Sequence, residues 1–342
     1  MWGVRKLKRF LMIAVVIAMM FTLVACGGND KAPDTDNGSN EPEKVVLRLG
    51  MTAEADSHYG KGAQVFADKV SEYTDGEVEI QIFPSSQLGN ERDLVEGVGI
   101  GTIEMSLTST GPLPNFSSDF MLFDLPFIIT DRQKAYEVMD GEIGQEILGS
   151  LEPMGINALG FWENGFRHVT NNAGPIVSPE DIEGMKIRTM ENPIHLETFR
   201  HLGAQPTPMA WGEVFIALQQ GTIDGQENPL VILDTAKVYE VQEHVSLTGH
   251  FYSPAVMSIN KELFDGFSSD TQEAIVKAEK EARDWERQYS SDLDAELVSA
   301  LAEKGMVVTE VDKLEWQKAC EPVYEKFADQ INPEYIEALI GQ

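Results

Sequence analysis

Arg167 and Arg188 are the residues best suited to chemistry in this 342-residue chain, where 56 acidic side chains outnumber 26 basic ones. A guanidinium is planar and permanently charged, and two parallel N–H groups fork onto a carboxylate. Arg167 follows Gly165 and Phe166 in a turn into a strand, and Arg188 ends a short strand begun after Pro179. Taken alone, such arginines make surface salt bridges with neighbouring carboxylates; brought to one cleft, they hold an anion. Asn228, in DGQENP, adds a donor and an acceptor. Trp211, opening a helix, serves either as core packing or as an apolar wall for a small ligand. Glu191, three residues past Arg188, can orient that arginine or bond a ligand hydroxyl. His58 shares a loop with Glu54 and Asp56, where a histidine bonds a ligand or is simply solvated. Those three lack helix-fixed spacing, so no metal site is expected.

Other chemistries leave no mark. The chain has no G-x-S-x-G elbow, no H-E-x-x-H and no cysteine–histidine set in a recognisable context. Its glycines form neither a P-loop nor a dinucleotide fingerprint, so no cofactor is expected. A net charge of -30 repels nucleic acid and anionic membrane surfaces.

The elements that must position these residues begin after an export signal. Arg5, Lys6, Lys8 and Arg9 precede an apolar run over 10–24, too short to span a bilayer comfortably. It closes on LVACG, which resembles a bacterial lipobox, with Cys26 as the lipidated residue. Residues 1–25 are read as signal peptide and 26–44, rich in Gly, Asn, Asp and Pro, as a flexible tether. The folded part is then expected outside the cell beside a membrane, where capture, sensing, wall chemistry or secretion chaperoning are open to it. With Cys320 the only other cysteine, no intramolecular disulfide is expected.

From residue 45 short strands alternate with helices, which argues an α/β protein with a mostly parallel sheet. The loops at 51–59 and 109–115 follow the first and third strands and share the edge where ligands bind in open sheets. Separate strands are expected at 156–161, 244–251 and 255–259, and one amphipathic helix at 131–148. Alternation restarts past Arg167, which places a boundary near residue 165. From Thr271 to Lys304 there is neither Gly nor Pro, and a helix that long exceeds one small domain. Two α/β lobes closing on a convergent arginine pair describe a solute-capture protein. Closure excludes water and strengthens each charged bond.

Longer motifs sharpen this reading. IFPSSQLGNERDLVEG (82–97), GFRHVTN (165–171), GMKIR (184–188), LGAQPTPMAWGEVFIALQQGTIDGQENPL (202–230) and YEVQEHVSLTGH (239–250) resemble the DctP family, the solute-binding proteins of tripartite ATP-independent periplasmic (TRAP) transporters. The resemblance runs from residue 45 to near the C-terminus. It implies a two-lobed, periplasmic-binding-protein-like α/β fold with a hinge and one long helix spanning both lobes. Lobe I is expected over 45–164 and 254–292, and lobe II over 165–253 and 293–342. It implies that Arg188 makes the bidentate bond to a ligand carboxylate, Arg167 supports it, Asn228 contacts it and Trp211 packs against the ligand. The implied ligands are C4-dicarboxylates, sugar acids and keto acids, delivered to a small and a large membrane permease subunit without ATP. A monomer is expected. Glu191 adds negative charge near the site and turns the expectation toward hydroxylated monoacids such as uronates or aldonates. The lipobox departs from the commoner soluble periplasmic form and suits a Gram-positive host. An extracellular enzyme acting on small sugars and a ligand sensor are the alternatives from other classes.

Overall fold

The computed structural model describes residues 44–340, and Cys26 lies outside the described residues. Nine strands form one mixed sheet: β1 (Val45–Gly50), β2 (Val78–Phe83), β3 (Met105–Ser109), β4 (Ile156–Asn171), β5 (Lys186–Thr189), β6 (Gln205–Pro208), β7 (Gly225–Pro229), β8 (His244–Asn260) and β9 (Val307–Thr309). The first helices are α1 (His58–Tyr73), α2 (Glu91–Gly99), α3 (Arg132–Asp140), α4 (Glu142–Gly149), α5 (Pro193–His201) and α6 (Trp211–Gln219). After them come α7 (Leu230–Thr235), α8 (Lys261–Asp265), α9 (Ser269–Glu303), α10 (Lys313–Phe327) and α11 (Pro333–Ile340).

Strand order β2-β1-β3-β8-β4-β7-β5-β6 makes two lobes from one sheet. β1 pairs in parallel with β2 and β3, and β5 with β6 and β7, whereas every pairing within β3-β8-β4-β7 is antiparallel. The middle is therefore antiparallel where alternation alone argues a mostly parallel sheet. β4 and β8 stay paired from Ile156↔Asn260 to Asn171↔His244, and this double strand is the spine of both lobes. Each is one strand, not the shorter pieces that local pattern suggests. Pro254 sits inside β8, just beyond the last residue paired to β3, so its missing N–H interrupts no bond on that side. Its carbonyl accepts from Thr110 N at 3.0 Å. At the crossing β4 has a bulge between Glu163 and Gly165. Gly165 takes φ 122°, and an added Cβ would lie 3.1 Å from Pro229 Cβ, so the bend requires glycine.

Three apolar clusters cover the sheet. One runs along a single face through both lobes, joining Leu47, Phe66, Met105 and Trp162 to Val214, Leu230 and Val245 beneath α1, α6, α7 and α9. The second packs α2, α3 and α4 on the first lobe's other face, and the third packs Phe199, Trp316 and Cys320 on the second lobe. Cys320 is buried, and burial pushes its thiol up to about 12. From Val323 onward the buried side chains of the C-terminal stretch, including Phe327, Tyr335 and Leu339, belong to the first lobe's cluster. This differs from assigning the whole tail to lobe II. The 131–148 stretch is two helices, because Gly141 takes an extended conformation between α3 and α4.

α9 has 35 residues, about 52 Å at 1.5 Å per residue. Ser268 caps it, its side chain accepting from Thr271 N. Against β4 it carries buried charges. Glu286 accepts only from Glu163 N at 3.1 Å, with His58 Nε2 3.8 Å away. Burial, and then the nearby Glu163, raises the Glu286 carboxyl well above its ordinary range. A raised folded pKa means that stability is present below the unfolded value and lost as pH rises through the folded one. Glu286→Gln keeps the acceptor and removes the ionisation. It should raise Tm at pH 7 by about 2 °C or more, with the gain vanishing below pH about 4.3, as calorimetry across pH would read.

Candidate functional site

The sheet's carboxyl edge and the β4 crossing bring one set of residues around a pocket between the lobes. Its lining includes Thr52, Tyr59, Glu91 and Ser109 from the first lobe and Arg188, Met190, Trp211 and Asn228 from the second. Asn164 and Arg167, at the crossing, complete it. A contiguous pocket shares Glu91, Arg188, Met190 and Trp211 and reaches Arg92 and Glu191 at the rim.

Arg188 lies in the buried run of β5, where Lys186 is exposed and Ile187, Arg188 and Thr189 are all buried. Its Nε and Nη2 donate to Met209 O at 2.9 and 2.6 Å, and Cζ lies 5.7 Å from the Trp211 ring centroid. One edge of the guanidinium is thus locked to backbone, which leaves Nη1 and the second N–H of Nη2 for a ligand. Burial brings Arg188 down to about 10, opposed by Glu227, so it stays charged at neutral pH.

Arg167 is held differently. Its Nε donates to Glu227 Oε2 at 2.5 Å, and Nη2 donates to Glu227 Oε1 at 2.8 Å and Glu227 O at 2.7 Å. Register explains the pairing, since β4 and β7 are antiparallel neighbours with Arg167 opposite Pro229 and Val169 opposite Glu227. His250 Nε2 lies 3.3 Å from the same carboxylate. Burial pushes the Glu227 carboxyl up, but the charge and hydrogen bonds of Arg167 outweigh it and hold Glu227 well below the usual carboxylate range. Of the three guanidinium nitrogens of Arg167, Nη1 is the one buried without a hydrogen-bond partner among the described residues. Arg167 therefore presents one donor to the pocket, whereas Arg188 presents a fork.

Asn228 Nδ2 donates to Gln226 Oε1 at 2.7 Å, and Gln226 Nε2 donates to Thr170 Oγ1 at 2.9 Å. The chain of amides fixes the Asn228 rotamer and leaves its oxygen to accept. Trp211 is half-buried at the first turn of α6.

Two expected residues stand elsewhere. His58 is fully buried and does not line the pocket: Ser57 caps α1, so the loop ends two residues earlier and His58 turns into the helix packing. Its Nε2 lies 3.1 Å from Asn164 O, and burial lowers its pKa to about 3. Tyr59, one residue on, lines the pocket instead. Glu191 stands at the rim with its side chain 44% exposed, its carboxylate 3.6 Å from Arg92 Nη1. The carboxylate that lines the pocket is instead that of Glu91, half-buried at the first position of α2. Its two oxygens accept from Ser109 N at 2.7 Å and Ser109 Oγ at 2.8 Å. Burial raises its pKa, against the Ser109 hydrogen bonds and the charges of Arg188 and Arg167. The signal available in sequence was an acid at the helix N-terminus beside the ligand edge.

The pocket thus has a forked cation, a single buried donor, an amide acceptor and a facing carboxylate. This suits a ligand with one carboxylate and hydroxyl groups. Among the described residues no group of three or more His, Cys, Asp or Glu could hold a metal ion, and no helix is long and apolar enough to cross a membrane.

Known proteins share this framework. The family model described as bacterial extracellular solute-binding protein, family 7 (DctP) matches residues 49–330. A TRAP periplasmic solute-binding protein from Polaromonas, crystallised with D-erythronate, is 43% identical with a TM-score of 0.85, covering 87% of this chain and 98% of its own. The 2,3-diketo-L-gulonate-binding periplasmic protein of Escherichia coli is 38% identical over 78% of this chain and 82% of its own. A TRAP solute-binding protein from Sulfurospirillum deleyianum with bound succinate is 32% identical with a TM-score of 0.83, covering 86% of this chain and 98% of its own. The chain therefore belongs to the DctP family and is a solute-binding protein of the TRAP type.

Proposed function

We propose that the protein captures a hydroxylated monocarboxylic acid of the aldonate or uronate class and passes it to a TRAP membrane permease of one small and one large subunit. The observation that carries the ligand class is the facing pair in one pocket, the open fork of Arg188 and the half-buried Glu91 carboxylate. A second ligand carboxylate would meet Glu91 at low dielectric, while a hydroxyl would donate to it. This moves the discrimination from Glu191, whose charge Arg92 faces, to Glu91. The relative bound to D-erythronate and the one named as 2,3-diketo-L-gulonate-binding agree with this class, and the succinate-bound relative keeps C4-dicarboxylates as the second reading.

On this reading the two lobes close over the acid about the β4–β8 crossing. The lobes comprise 45–164 with 254–292 and 165–253 with 293–322, and the remaining tail packs on the first. Arg188, Arg167, Asn228, Trp211 and Glu91 hold the ligand, and the protein binds without turnover. Cys26 carries the lipid that keeps the protein, as a monomer, on the outer face of the cell membrane.

A thermal-shift panel of D-erythronate, D-galactonate, D-galacturonate, succinate and a 2-keto acid tests the ligand class. The hydroxy monoacids should shift Tm most, in keeping with ligand-linked stabilisation of about 2.7 kcal/mol at a hundredfold excess over Kd. Glu91→Gln should raise succinate affinity about tenfold while lowering that of the sugar acids. A larger shift with succinate in the wild type would overturn the proposed class, and product formation would favour the enzyme reading.

A further inference from the structure

Directly after Arg188 and Thr189, the second lobe sends out the segment 190–195, and its polar contacts cross to the first lobe. Met190 Sδ lies 3.4 Å from Ser109 Oγ, whose single proton goes to Glu91. Asn115 Nδ2 donates to Glu191 O at 2.7 Å, beside the Arg92–Glu191 ion pair. Asn192 Nδ2 donates to Gly111 O at 2.8 Å and to Asp124 Oδ2 at 2.6 Å. His195 Nε2 lies 3.0 Å from Asp124 Oδ1. Between them Ile194, fully buried, belongs to the first lobe's apolar cluster with Phe120, Leu122 and Phe123. Gly111 makes the approach possible, since an added Cβ would stand 2.3 Å from Met190 Cε.

Asp124 and Asn192 are 3% and 0% exposed, and neither lines the ligand pocket. Both oxygens of Asp124, from the first lobe, are taken by side chains of the second. Asn192 has two separable functions. Its oxygen caps α5, accepting from Ile194 N and His195 N, while its amide nitrogen reaches across the cleft. A buried carboxylate stripped of such partners is strongly disfavoured, so these bonds hold the lobes together as a set.

We propose that 190–195 is a closing clasp and that Asp124 and Asn192 are positioning residues that set the lifetime of the closed state without touching the ligand. Arg188 lies two residues before the clasp, so ordering of the fork by a ligand carboxylate also orders the clasp. The inference rests on the pocket being the ligand site.

Asn192→Ser keeps a good helix cap and loses the crossing amide. Asn192→Asp keeps the cap acceptor and sets a second carboxylate against Asp124. Full-length protein is assayed by stopped-flow with D-erythronate and D-galactonate, and without ligand by hydrogen exchange over 110–125 and 190–195. Dissociation should be about tenfold faster in Asn192→Ser and faster again in Asn192→Asp, with association changed less than about threefold. Deuterium uptake in both segments should rise in the same order. If dissociation and uptake match wild type in both variants, or if Tm falls with dissociation unchanged, the clasp is wrong. If wild type binds neither acid, the ligand reading fails on its own, and the exchange comparison alone supports or refutes the clasp.

Discussion

Arg188→Ala should weaken binding of the preferred acid by about 10²- to 10³-fold, the loss expected when one partner of a buried charged pair is truncated. Calorimetric titration at pH 7 measures it. The Arg188 guanidinium keeps an open terminal edge, because Met209 O engages Nε and one N–H of Nη2. Arg188→Lys retains a positive charge but cannot both bond Met209 O and fork onto a carboxylate, so it should recover little of the loss. Stability should change far less than affinity, since among the described residues no carboxylate is paired with Arg188 at hydrogen-bond distance and its removal strands none. Wild-type affinity in both variants would end the role given to this residue.

Glu227→Gln should destabilise the protein by about 3–5 kcal/mol, because it leaves the Arg167 guanidinium buried without its counter-charge. Arg167 and Glu227 are both fully buried and share three hydrogen bonds. The pH dependence has a definite sign. A folded-state pKa held below the unfolded value gives stability that is present above about 4.3 and is lost as pH falls through the folded value. The difference in Tm between wild type and Glu227→Gln should therefore be largest near pH 7 and narrow in acid. The double variant Arg167→Met with Glu227→Leu should regain much of the stability, since apolar residues of similar volume replace buried pairs at small cost. It should not regain affinity, because the Arg167 Nη1 donor is gone. A double variant as unstable as Glu227→Gln would show that packing, not uncompensated charge, dominates at this site.

By itself the sequence determined the α/β class and the long helix, and it set the expectation of a boundary near residue 165 and of Arg188, Arg167, Asn228 and Trp211 as one group. These are legible because they are local: a Gly/Pro-free run must be helical, a Gly165 turn marks the bend, and the longer motifs carry their residues with them. Contacts distant in sequence were decided by tertiary structure. Strand pairing fused the pieces around Pro254 into β8, since a proline inside a strand is read from pattern as an end. A difference of two residues in where α1 begins turned His58 into the core and Tyr59 to the pocket. Arg167 and Arg188 look equivalent as residues, yet register across β4 and β7 sets Glu227 against the first, and among the described residues no carboxylate bonds the second. Among 56 acidic residues nothing local distinguishes Glu91, Glu191 and Glu227. Burial and partners do, because the energy of a charge depends on what replaces the water around it.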